Sequence, residues 1–250
     1  LHQRFVWTDN GNDRPLLDGL ALSDHPGMDT FEVIGRNERR GEFSVPYKGK
    51  RLSGGELHKQ LDDWVARGVA EPTFADAVRA VMAHPEWLNL RDLQVAVLGA
   101  GAEMGPLRQL LDWGATVYAV DLPNEDRWNA IMSIAKNSAG RMAVPVPHGA
   151  VNLDTAPDSR VAQVAGLDVI GETDGVLAWL REIEGPFTLG NYAYADGGLH
   201  VRVSMAIDAL GVLLARSHPD LSLAFLATPT DVFAVPEDAV IGQFCCNNGR

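Results

Sequence analysis

The sequence predicts an α/β protein in which a doubly wound, mostly parallel sheet follows a small α+β unit made of a hairpin and two helices. Three observations carry this prediction. From about residue 91 short apolar runs alternate with helical stretches, the pattern of strands joined by crossover helices. The first of these runs ends in a glycine-rich turn that opens directly into a helix. Residues 1–90 carry hairpin and helix-capping signals instead. The expected division is 1–90 for the small unit and 91–250 for the sheet domain.

Taken in order, the first thirty residues mix Asp, Asn, Gly and Pro and read as loop. Phe31 to Val33 and Phe43 to Tyr47 alternate apolar with polar or small residues, as half-buried strands do, and the polar turn Gly35 to Gly41 would join them. That hairpin region is basic: residues 36–51 hold six Lys or Arg against two Glu. Folded over a crevice, its arginines would receive a small anion; the plain alternative is a solvated turn. Ser53 and Glu56 have capping-box spacing, and Leu57, Leu61, Trp64 and Val65 then share one helix face up to Gly68. Thr73 opens a second helix whose inward residues are Phe74, Val78, Val81 and Met82, with His84-Pro85 at its end.

Beyond residue 91 the expected strands are Gln94–Leu98, Thr116–Val120, Met142–Val146, Phe187–Leu189 and Leu221–Ala227. The expected helices are Pro106–Trp113, Arg127–Lys136, Asp174–Ile183 and Val203–Arg216.

The composition narrows the partners. The chain has 250 residues, 46% of them hydrophobic, with 33 acids against 21 bases and a formal charge of −12. A surface of that sign repels phosphate, so nucleic acid and anionic lipid are not expected partners. Residues 142–250 carry most of the excess, with 13 acids against five bases. The longest apolar stretches, Met205–Ala215 and Leu221–Ala227, read as too short to span a bilayer, and the first is interrupted by Asp208. No leader-like opening and only two cysteines, the adjacent Cys245 and Cys246, make the cytoplasm the expected location. Two free thiols are the plain reading of that pair; a vicinal disulfide is the other. A small-molecule substrate is the expected partner, and a homodimer through the apolar helix is a further arrangement the sequence allows.

Chemistry concentrates in the segment Val95 to Leu107. There Gly99 permits a tight turn, Gly101 lets backbone amides approach a ligand, and Gly105 lets the helix pack close to the strand. Pro106 suits the first helical turn, whose amides and partial positive charge favour an anion. Asp121 stands at the end of the next strand, about twenty residues on, where a carboxylate binds ribose hydroxyls. Glu103 is the exception, since its charge would face a pyrophosphate unless it turns outward or caps the helix.

Here the sequence resembles the NAD(P)-binding Rossmann-fold superfamily, across residues 94–122 and, by alternation, to about residue 235. Its spacing, Gly-x-Gly-x-x-x-Gly, is one residue longer than the commonest form. The resemblance implies a cofactor site made by Gly99, Ala100, Gly101, Glu103, Met104, Gly105, Asp121, Leu122, Asn191 and Thr228. NAD is the expected cofactor, since a carboxylate at 121 would repel the extra phosphate of NADP. S-adenosylmethionine is the alternative because its adenosine presents the same ribose hydroxyls. Methyltransferases usually carry an acid near the end of the first strand, however, and Val95, Val97 and Leu98 are apolar.

The loop Gly190 to Arg202 follows the expected fourth strand and would stand beside the same crevice. Tyr192, Tyr194, Asp196 and His200 are the candidate catalytic residues, with Tyr194 or His200 as proton donor and Asp196 orienting it. Packing tyrosines, an Asp-Gly-Gly turn and a structural histidine are the plain alternative. Thr228, in the loop after the last expected strand, lines the crevice or merely caps a turn.

Several motifs fail. No Tyr-x-x-x-Lys occurs, Ser133 to Lys136 matches Ser-x-x-Lys without its companions, and the seven histidines show no metal-ligand spacing. The leading expectation is an NAD(P)-dependent oxidoreductase moving a hydride to or from a small carbonyl, imine or alkene. The alternatives are an S-adenosylmethionine-dependent methyltransferase and a non-catalytic binding or sensor module.

Overall fold

The computed structural model describes residues 4–9 and 11–225. The described residues divide into two compact units: residues 4–39 together with 90–225, and residues 40–89.

The larger unit opens with two short antiparallel strands, β1 (Val6–Asp9) and β2 (Asn12–Pro15), and the helix α1 (Leu16–Ala21). The segment expected to be loop is therefore structured. Strand β3 (Met28–Ile34) follows. In the smaller unit, β4 (Val45–Tyr47) and β5 (Lys50–Leu52) form a hairpin, followed by α2 (Gly54–Ala66) and α3 (Pro72–Ala83). Leu57, Leu61 and Ala75 are its buried core, with Tyr47 set edge-on to Trp64 at 5.1 Å. Ser53 stands at the N-cap of α2 but its side chain makes no capping bond, so the expected capping box does not close. Glu71, not Thr73, precedes α3, because Pro72 takes the first helical position where its missing donor is not needed.

The hairpin expected between Phe31–Val33 and Phe43–Tyr47 does not form. Strand β3 pairs antiparallel with a strand more than a hundred residues away, β8 (Arg141–Pro147), while β4 turns back on β5. The register explains the choice. Phe31 lies opposite Val144 and Val33 opposite Met142, so the apolar positions of both strands fall on one face. The basic cluster of residues 36–51 is consequently divided, with Arg36 and Arg39 in one unit and Lys48, Lys50 and Arg51 in the other.

The remaining elements alternate: β6 (Gln94–Leu98), α4 (Leu107–Asp112), β7 (Thr116–Val120), α5 (Glu125–Lys136), β8, α6 (Asp158–Ala162), α7 (Thr173–Arg181), β9 (Thr188–Asn191), α8 (Gly197–Ser217) and β10 (Ser222–Phe225). The result is an α/β unit on a six-stranded mixed sheet in the order β10-β9-β6-β7-β8-β3, parallel except for β3. Helices cover both faces. Val95 and Val97 of β6 join the cluster of α4, α5 and α6, whereas Ala96 and Leu98 join that of α1, α7 and α8. Burial on both faces is why these strands read as unbroken apolar runs.

Helix α8 corrects one expectation. Its 21 residues and mean hydropathy of 1.5 make it long and apolar enough to cross a membrane. The apolar run extends past Met205 because Gly197 to Val203 continue the helix. In the structure its inner face, including Ile207, Leu210 and Leu214, is buried in the core beside the sheet.

Chain order across the sheet sets up the site. From β6 the chain steps to β7 and β8 on one side, then returns to β9 and β10 on the other. Loops leaving β6 and β9 therefore diverge, and a crevice opens at their carboxyl ends.

Candidate functional site

A cavity of about 600 Å³ occupies that crevice. Its lining comes from the turn after β6, the end of β7, the segment Leu167–Ile170 and the loop from β9 into α8.

The turn is held by the protein itself. Gly99 has φ +83°, and a Cβ there would lie 2.8 Å from the amide nitrogen of Ala193. The N–H groups of Gly99 and Ala100 both donate to the carbonyl of Val120, at 2.9 and 3.0 Å. Gly101 donates to Oδ2 of Asp121 at 2.6 Å. Ala102 donates to the carbonyl of Gly99, and Gly105 to that of Ala102. Five of the seven amides from Gly99 to Gly105 are thus bonded within the chain.

Asp121 is the anchor. It is 5% exposed, and its carboxylate accepts from the amides of Gly101 and Leu122 and from the Arg127 guanidinium. A carboxylate offers roughly four lone-pair sites, so one on Oδ2 remains. Gly101 is glycine for the same reason, since a Cβ would come within 3.1 Å of Oδ2. Helix α5 brings Arg127 into place, its first turn capped by Asn124, whose Oδ1 accepts from the Arg127 amide at 2.9 Å.

The predicted cofactor residues separate. Gly99, Gly101, Glu103, Asp121 and Leu122 line the cavity. Ala100 is buried in the core, 2% exposed, and Gly105 lies within the turn. Met104 is 76% exposed and is not part of the lining. Asn191 shapes the loop, its Oδ1 accepting from the Ala193 amide at 3.2 Å. Thr228 and the rest of its loop lie outside the described residues, as do Cys245 and Cys246.

The candidate catalytic residues separate too. Tyr194 lines the cavity at its mouth, 71% exposed, and donates to Oδ1 of Asp196 at 3.1 Å. Its ring lies 5.2 Å from that of His200, whose Nδ1 is buried and finds no partner among the described residues. Tyr192 packs instead on the α4–α5 side, its ring filling the space over Gly190. The Asp196 bond pushes the Tyr194 phenol up from its ordinary value, and burial does the same for Tyr192. Both phenols therefore stand protonated at neutral pH, able to donate rather than abstract.

Sequence reasoning placed Leu199 in the loop beside the crevice without giving it a role, and missed Arg127, Val203 and the segment Leu167–Ile170. That segment crosses the end of β7, where the Leu167 amide donates to the Asp121 carbonyl at 2.9 Å. Asp168 Oδ1 accepts from the Ile170 amide at 2.9 Å. One signal was available: the 148–172 connection leaves the carboxyl end of a parallel strand, where crevice-lining loops arise. Among the described residues the charged lining is Glu103, Asp121 and Asp168 against Arg127, and Arg127 is committed to Asp121. No metal-holding group of His, Cys, Asp and Glu occurs among the described residues.

No family model matches this chain, and neither a curated protein nor a solved structure does.

Proposed function

We propose that the larger unit is a Rossmann-like domain whose crevice binds an adenosine-containing cofactor, and that the reaction it serves is methyl transfer from S-adenosylmethionine. The observation that carries this reading is the state of the turn after β6. A pyrophosphate is held by unspent amides at a helix N-terminus, and a neighbouring cation strengthens the hold. Five of the turn's amides are spent, α4 is only six residues long, Glu103 lines the cavity, and Arg127 is bonded to Asp121. Hydride transfer from NAD or NADP, first in order from the sequence, is therefore the second reading. A cofactor without phosphate does not need those amides, and S-adenosylmethionine sets a sulfonium and an ammonium against its one carboxylate, so its net charge suits the acidic lining.

The residues present fit adenosine. The remaining lone pair on Asp121 Oδ2 accepts a ribose hydroxyl, while Val120, Leu122 and Leu167 supply apolar wall. When bound, S-adenosylmethionine supplies an electrophilic methyl group on a sulfonium centre, which an acidic lining tolerates. Tyr194 stands at the mouth with its proton held by Asp196, placed to hydrogen-bond an incoming substrate.

Calorimetric titration with S-adenosylmethionine, S-adenosylhomocysteine, NADH and NADPH tests this. Heat is expected for the first two alone. Binding of NADH or NADPH in their place restores hydride transfer, and no binding of any of the four overturns the cofactor reading.

A further inference from the structure

We infer that the second substrate of this crevice is a hydrophobic amine, bound in its protonated form. This rests on the cofactor reading above and names what else the same cavity takes. Beyond the glycine turn and Asp121, the apolar lining includes Val169, Ile170, Leu199 and Val203, with Ala193 where the loop after β9 meets Gly99. Leu199, at the start of α8, is 50% exposed, so apolar surface faces water at a concave site. Such surface marks a place where an apolar body docks.

The acidic side chain next to these residues in the chain is Asp168, which also lines the cavity. Asp168 is partly buried, and only its Oδ1 is bonded, to the Ile170 amide; no described residue donates to Oδ2. A half-buried carboxylate oxygen gains more from a charged donor than from a neutral one, because screening there is weaker than in bulk water. An ammonium group fits it. The exposed face of Tyr194 adds a ring on which a cation rests favourably. A carboxylate or phosphate on the substrate would meet Asp168 and Glu103, and Arg127, the one cation among the described lining residues, is already taken by Asp121. The apolar body lies against Val169, Leu199 and Val203 while the ammonium is drawn to Asp168, whose Oδ2 accepts the proton that the nitrogen must lose before its lone pair can act as a nucleophile.

The test is a matched series, 2-phenylethylamine, 2-phenylethanol and 3-phenylpropionate, titrated calorimetrically into the cofactor-free protein. The amine is expected to bind about tenfold tighter than the alcohol, the worth of one charge-assisted bond, and the carboxylate weakest. Asp168→Asn keeps the acceptor for the Ile170 amide and is expected to bring the amine level with the alcohol. Leu199→Lys, at an exposed position, guards against a folding defect in the first variant and is expected to lower amine affinity and raise that of the carboxylate. Equal binding of amine and carboxylate by the unaltered protein, or an unchanged amine preference in both variants, overturns the inference. S-adenosylmethionine is titrated separately, so its failure to bind removes the cofactor reading without touching the amine series.

Discussion

Two glycine-rich loops flank the crevice, and their glycines are there for opposite reasons. In the turn after β6, Gly99 and Gly101 are spaces the protein fills: the first admits the Ala193 backbone, the second admits the Asp121 carboxylate. In the loop after β9, Cβ atoms at Gly197 and Gly198 would meet nothing within 4 Å. A glycine in a sequence marks a missing side chain without saying whether protein or ligand uses the space. The turn that most resembles a phosphate cradle is internally bonded, and the less regular loop is open.

The comparison breaks first at Gly99. Gly99→Ala sets a Cβ against backbone that cannot rotate away and adds strain at φ +83°. The expected loss is about 3 kcal/mol or more, read from urea unfolding. A loss below about 1 kcal/mol would show that the two loops separate easily and that their contact does not shape the crevice.

Asp121→Asn comes next, at about 2 kcal/mol. The substitution removes the charge from a buried acceptor of three donors, although the partly exposed Arg127 softens the loss. Hydrogen exchange at the Gly101 amide should rise with it, since its 2.6 Å bond is to this carboxylate. Unchanged exchange would remove Asp121 as the anchor of the turn.

How far all this was legible follows from where each signal is local. Strands β6 and β7 could be read residue for residue, because a strand buried on both faces is a continuous apolar run. Strand β3 could be read as a strand but not placed. Alternation in Phe31 and Val33 suits any half-buried neighbour, and Met142 and Val144 are far along the chain. In the site, the turn and Asp121 were visible because their spacing is short-range. Leu167 to Ile170 were not, since apolar side chains lining a cavity look the same in sequence as those filling a core. Arg127 read as an ordinary first-turn residue of a helix, and its bond to Asp121 depends on the packing of α5.

A smaller effect belongs to the open loop and is read by pH. The Asp196 bond raises the Tyr194 phenol, so the folded protein keeps a proton that the unfolded chain releases near pH 10. That contribution to stability is present below the ordinary phenol range and fades as pH rises through the folded value. Ultraviolet titration of phenolate, with Tyr194→Phe assigning the residue, should show late ionisation that Asp196→Asn returns to the ordinary range. An unshifted titration in the unaltered protein would remove the phenol–carboxylate pair from the mouth.

The smallest effect sharpens the contrast most. Gly198→Ala places a methyl group in open space at the start of α8, where alanine favours helix and narrows the unfolded ensemble. Stability should stay level or rise by about 0.5 kcal/mol in urea unfolding, the opposite sign to Gly99→Ala. Gly197→Ala, at φ +58°, is the internal control and should cost about 1 kcal/mol from backbone strain alone. If Gly198→Ala instead cost as much as its neighbour, the space beside it would be in use by the protein, and the two loops would no longer differ in kind.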